Sequence, residues 1–389
     1  MTVTIQLTVG GNAVPQAFYN AISALQVEEL SDQPSTLLLR VPINSTAQGD
    51  LAFVGDGTFE PFTPITFVAV GGDSQPQCLF DGYILSWKVH LDRTLTSSSI
   101  EVWAQDATWL MATADNVVEW SGLTDGEVAN SIFSNYGFTP ADGNTDNDSP
   151  QHTDDGHTLF QRGNDLQFLR GLARRGGKIM RVACTDTPGD RTGYFVSPSV
   201  DASAATTISL VDPNAWNVDT LEFTWDVLRP TQIDAGQVDM TQSPGQAVNQ
   251  TATSSGLDAM DQRDYPTYTG QTTSMILSAA ADVPDLNQRA TAVLADSGFF
   301  VKCTGQTTTD RLQTILRVGD VVTLEGAGSI HSGNWLVWEV RSEVSTETMN
   351  MKFTLVRNAM GPPAQGGAMA NFANAVSGTA SPLSGAGVP

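Results

Sequence analysis

Positive charge is the commodity this chain has least of. It carries 19 lysines and arginines against 42 aspartates and glutamates, a net charge of −23 over 389 residues. A general nucleic-acid binder needs a basic footprint, so that class is excluded, as is adsorption to anionic membranes. The acidity reads as a solvated surface and suits high solubility, including in a salty habitat. Cysteine is almost as scarce. Cys78, Cys184 and Cys303 are isolated and odd in number, with no CxxC spacing. That excludes a disulfide framework and predicts buried free thiols in a reducing cytoplasm. No apolar run is long enough to span a bilayer as a helix. The N-terminus alternates Val3, Ile5, Leu7 and Val9 without a basic n-region, so it reads as a strand rather than a signal peptide.

What is present is β-rich. Thr, Ser, Gly and Asp abound, and short alternating runs recur through residues 1–112: 27–41, 64–70, 79–91 with an Asp81-Gly82 turn inside it, and 98–104. Strands at this spacing suggest a sandwich or barrel. The pattern changes near Asp106. Thr124-Asp-Gly-Glu127 fits a capping box, and Val128, Ala129, Ile132, Phe133 and Tyr136 follow at helical spacing up to Gly137. A polar loop, 141–156, precedes the stretch NDLQFLRGLARRGGKIMRV. There Asn164 is the N-cap, Leu166, Phe168, Leu169, Leu172 and Ala173 form an apolar face, and Gly176-Gly177 stop the helix before a strand at 178–183. A further strand is expected at 193–197.

From about residue 205 strands return: 207–211, 221–225 and 233–240, then a mobile loop at 242–258. A helix is expected at about 283–296 (Pro284 near its start), then strands at 299–305, 321–326, 334–344 and 349–357. The last stretch, 361–389, lacks charge and is mostly Gly, Ala, Ser, Asn and Pro, a flexible tail. The expected organisation is therefore 1–112, β-barrel-like; 113–204, an α+β insertion; 205–360, a second β-barrel-like domain; and the tail. The class is α+β and β-rich.

Four ordered pieces resemble one family. GLTDGEVANSIFSNYGF, NDLQFLRGLARRGGKIMRV, IEVWAQDATWLM and the closing LRVGDVVTLEGAGSIHSGNWLVWEVRSEVSTETMNMKFTLVRN are similar to the baseplate hub of contractile phage tails. That family includes phage late control protein D, the hubs of tail-like injection particles and the N-terminal half of type VI secretion spike proteins. The resemblance covers roughly residues 80–360 and implies architecture, not catalysis. It implies a homotrimeric ring of two β-barrel-like domains per chain, joining a six-fold tail tube to a three-fold spike. Its partners would be the spike protein, the tail tube protein and other baseplate proteins, with assembly in the cytoplasm and residence in a phage or phage-tail-like particle. After Arg357 there is no room for a needle domain, so a separate spike is implied.

No constellation selects chemistry. His152, Asp154, Asp155 and His157 have metal-binding side chains but no motif spacing, and a solvated turn is the expectation. Asp142, Asn144, Asp146 and Asp148 alternate like a calcium loop. Asn147 stands where glycine belongs and Thr153 where the closing glutamate belongs. His90 and Asp92 flank Leu91 as a surface pair. No GxSxG or phosphate loop occurs. The chain is therefore read as a non-enzyme without catalytic, metal or cofactor-binding residues. A tail-associated cell-wall hydrolase and an acidic adhesin or capsid component are the alternatives. Trp103, Trp335 and Trp338 are left unassigned between core and interface, core being the commoner place for such side chains. The docking candidate is the basic cluster Arg162, Arg170, Arg174, Arg175, Lys178 and Arg181. It holds six of the 19 basic residues within twenty positions. Its competing explanation is helix-dipole complementation and local ion pairing.

Overall fold

The computed structural model describes residues 4–43, 50–70, 76–93, 98–154, 157–239, 246–278, 285–344 and 348–362. Strand alternation decides the main sheet. Leu37, Leu39 and Val41 of Thr36–Pro42 point inward with Leu25 and Val27 of Ala24–Leu30, and their partners face out. From one end the order is Asn12–Ala13, Thr4–Val9, Pro64–Val70, Pro76–His90, Ser99–Asp106, Thr36–Pro42 and Ala24–Leu30. The next neighbour comes from the other end of the chain. Gly333–Val344 pairs antiparallel with Ala24–Leu30, from Glu339 opposite Leu30 to Val344 opposite Leu25. Met349–Arg357, Val301–Thr308 and Thr220–Trp225 complete the path, and Val321–Glu325 branches off to pair with Thr206–Ser209.

The class is α+β and β-rich, as the composition implies. No ladder among the described residues closes the sheet into a barrel. The two outer β-rich segments share one sheet, and one apolar cluster runs through both, from Leu7, Phe67 and Phe80 to Trp335, Phe353 and Leu355.

Between them lies a body with its own core. The capping box forms as expected: the Thr124 amide donates to Glu127 Oε2 at 2.8 Å, and the Glu127 amide to Thr124 Oγ1 at 3.3 Å. The helix Asp125–Asn135 packs Val128, Ile132 and Phe133 against Leu166, Leu169 and Leu172 of helix Asp165–Gly176. Each such side chain contributes about 1.5–3 kcal/mol when buried. Two antiparallel strand pairs flank the helices: Asp115–Trp120 with Leu159–Asn164, and the hairpin Ile179–Cys184 with Arg191–Val196. A third small sheet, Gln246–Ala252, Gln232–Asp239 and Ser274–Ser278, is covered by helix Leu286–Gly298 through Ile233, Ala235, Leu286, Ala290 and Leu294.

Two expectations change. Asp81-Gly82 is not a turn but the middle of one long strand, Pro76–His90. Gly82 is there because a Cβ would overlap the Gln105 carbonyl of the adjacent strand. The stretch 242–258 is not all loop: Gln246–Ala252 pairs with Gln232–Asp239. Val248 and Ala252 join the cluster under the covering helix, and Asn249 and Thr251 lie on the other face of the strand. The 115–120 strand was not read from the sequence at all. The expected flexible tail at 361–389 falls almost wholly outside the described residues, beyond Pro362.

Candidate docking surface and the ion network beneath it

The basic cluster grows from one helix end. Asn164 accepts the Gln167 amide at 2.9 Å, Asp165 lies in the first turn, and Gly177 closes the helix at φ 68°. Residues 174 and 175 are then about 100° apart around the axis, so they leave in different directions. Arg174 is exposed, 3.8 Å from Asp32. Arg170, one turn earlier on the same face, is half-buried, and Arg162 is exposed on the preceding strand. The other three turn inward. Arg175 donates to Asp125 Oδ1 at 2.6 Å. Lys178 is buried, donates to the Asn144 carbonyl at 2.8 Å and sits 5.0 Å above the Phe195 ring. Burial pushes its pKa down, and Asp148 at 3.5 Å works against that shift. Arg181 stacks 4.8 Å over Tyr194 and lines a cleft of about 530 Å³ with Ser31, Asp258 and Val318. Arg170, Arg174, Arg175, Lys178 and Arg181 therefore do not form one surface. The charge count was legible, whereas the directions depend on the helix phase and the glycine stop.

The inward arginine enters a buried network. Asp125 also contacts His152 Nε2 at 2.8 Å, and Arg175 Nη1 lies 3.5 Å from Asp285 Oδ2. Asp285 takes Arg289 at 3.1 Å and His157 at 3.5 Å, and the two imidazoles stack with centroids 4.4 Å apart. His152 and His157 are 0% and 5% exposed, which overturns the solvated-turn expectation for both. Burial works against the Asp125 charge, but His152 and Arg175 hold its pKa below the ordinary value. The network ties the helix Asp125–Asn135 to the start of helix Leu286–Gly298. None of the five principal clefts among the described residues is lined by its histidines or aspartates.

The remaining sequence candidates disperse. Asp154 is exposed, and Asp155 lies outside the described residues. Among the described residues no three His, Cys, Asp or Glu side chains converge to hold a metal ion. Of the calcium-like residues, Asp142 and Asp146 are exposed while Asn144 and Asp148 point inward. Asn144 accepts the Phe195 amide at 2.7 Å and donates to Asn130 and to the Gly193 carbonyl. Asp148 accepts the Gly126 amide at the positive end of a helix. His90 and Asp92 lie exposed at a strand end. Trp335 is buried, Trp338 packs on Phe299, and Trp103 is half-exposed on the outer sheet face rather than core.

Sequence reasoning missed three ion pairs between distant segments: Glu29–Arg317, Asp81–Arg191 and Asp261–Arg357. No local pattern marks such partners. Asp81 was in addition hidden by its reading as a turn residue.

No family model and no curated protein sequence matches the chain. Solved structures do. A tail protein from Neisseria meningitidis superposes with a TM-score of 0.63 at 12% identity, covering 92% of this chain and 97% of that one. The tail protein of prophage MuSo2 from Shewanella oneidensis gives 0.62 at 14% identity, covering 92% and 100%. The fold is that of phage tail proteins. A type VI secretion component of Escherichia coli, itself described as similar to bacteriophage T4 tail proteins gp27 and gp5, gives 0.54 at 12% identity over 92% of this chain and 79% of that one.

Proposed function

We propose that this chain is a structural baseplate hub of a contractile tail or injection particle. In this reading it forms a homotrimeric ring that adapts the six-fold tail tube to the three-fold spike. The observation that carries the reading is two-way coverage: nearly all of this chain and nearly all of two solved tail proteins superpose as one fold. The proposed division is 1–112 and 205–360 as the ring-forming parts, 113–204 as the insertion, and 361–389 as a tail. The role is geometric rather than catalytic. The ring would assemble in the cytoplasm with spike, tube and other baseplate proteins, and would remain in the particle. Arg170 and Arg174, one turn apart on the same helix face, are the proposed docking residues for an acidic neighbour.

The test is co-expression with a candidate spike protein, followed by affinity capture of the spike. Retention of this chain in equal number to the spike chains supports the hub. Its absence from the spike fraction, with both proteins folded and soluble, overturns it.

A further inference from the structure

The hairpin Ile179–Cys184 with Arg191–Val196 lies against the long strand Pro76–His90. Arg191 binds both oxygens of Asp81, at 2.7 and 3.0 Å, and its guanidinium lies 5.3 Å over the Tyr83 ring. The Gly189 amide adds a third bond to Asp81 at 2.8 Å. This clamp fixes the position of the hairpin on the strand. Beside it the two backbones bring two thiols together. Cys184 Sγ donates to the Cys78 carbonyl at 2.8 Å across 106 positions of sequence, while Cys78 Sγ donates to the Phe80 carbonyl at 3.6 Å. Cys78 is fully buried and Cys184 is partly exposed. Cys303 sits in another strand, Val301–Thr308, opposite Leu355.

We propose that Cys78 and Cys184 are a dithiol that closes to a disulfide when the folded chain meets a small-molecule disulfide, stapling the insertion hairpin to the main sheet. The proposal does not depend on the hub reading. The Cys184 thiolate, the accessible one, attacks one sulfur of R–S–S–R and expels RS⁻. The Cys78 thiolate then attacks the Cys184 sulfur of the mixed disulfide and expels the second RS⁻. The protons given up by the two cysteines end on the two leaving groups, so two thiols are oxidised and one external disulfide is reduced to two RSH. The neighbouring Cys78 thiol and burial both push the Cys184 pKa up. Little Cys184 thiolate is therefore present at neutral pH, so closure is slow there and faster in mild alkali. A bond between residues this far apart removes much freedom from the unfolded chain, so the oxidised form unfolds at a higher temperature.

The experiment treats the full chain, folded, with oxidised glutathione at pH 8.5, blocks remaining thiols with iodoacetamide, and maps tryptic peptides without reduction. The expected product links Val182–Arg191 to Val41–Lys88, and the peptide beginning at Cys303 carries the only alkylated thiol. A Cys303→Ser variant forms the same link. Three alkylated cysteines, a glutathione adduct that persists on Cys184, or a link through Cys303 would each overturn the proposal.

Discussion

Arg317 holds Glu29 in a forked ion pair across 288 positions of sequence, with Nε and Nη2 donating at 2.9–3.1 Å. Glu29 lies on Ala24–Leu30, the strand through which the first β-rich segment joins the last. Burial opposes the charge on Arg317, but Glu29 holds its pKa above the ordinary arginine value. Arg181 of the insertion feels the same glutamate; burial is the largest influence on it and lowers its pKa. Glu29→Gln removes one of the two carboxylates, Glu29 and Asp320, that act on both guanidinium groups. The variant is expected to lose about 3 kcal/mol in urea unfolding, whereas a Glu29→Met, Arg317→Met double variant recovers part of the loss.

The two adjacent arginines at the helix end separate surface from interior. Arg175→Ala strips the buried Asp125 of its cation and is expected to cost about 3 kcal/mol of stability. Arg174→Ala is expected to change stability by less than about 0.5 kcal/mol, because its partner Asp32 is solvated. Arg170→Ala with Arg174→Ala should instead weaken incorporation into particles, more strongly at low salt than at high. Unfolding curves and particle-incorporation assays on the same variants check both halves.

Asp106 gives a pH signature. Its carboxyl caps the turn at Ala107–Ala112 and accepts the Ser35 and Thr108 amides, yet full burial raises its pKa from 3.8 to about 6. Between those values the unfolded chain has released the proton and the folded chain has not, so stability falls as pH rises through the window and the loss is complete above about 6. The size is roughly 3 kcal/mol. Urea midpoints at pH 4.5 and pH 7 should therefore differ less in Asp106→Asn than in the native chain.

Gly82 tests the continuous strand. Gly82→Ala drives a methyl group into the Gln105 carbonyl of the neighbouring strand. Separating the strands is expected to cost about 1–3 kcal/mol. A near-neutral result in thermal unfolding would mean that the ladder is looser than it stands here.

What was legible followed from local rules. The Thr124 box, the Asn164 cap and the Gly177 stop are written in neighbouring residues, and alternating strands such as 64–70 and 349–357 were read nearly to the residue. What failed was non-local. Nothing near Glu29 announces Arg317, and nothing near Asp81 announces Arg191. Polar Gln246–Ala252 becomes a strand only because Gln232–Asp239 offers it a ladder. His152 and His157 looked solvated because their buried partners, Asp125 and Asp285, are supplied by two separate helix starts.

The most direct measurement is negative-stain microscopy of the purified chain, alone and mixed with its candidate spike and tube proteins. The account predicts a three-fold ring with a central hole and a near six-fold outline. Compact monomers that never form rings, even with spike and tube present, would contradict it.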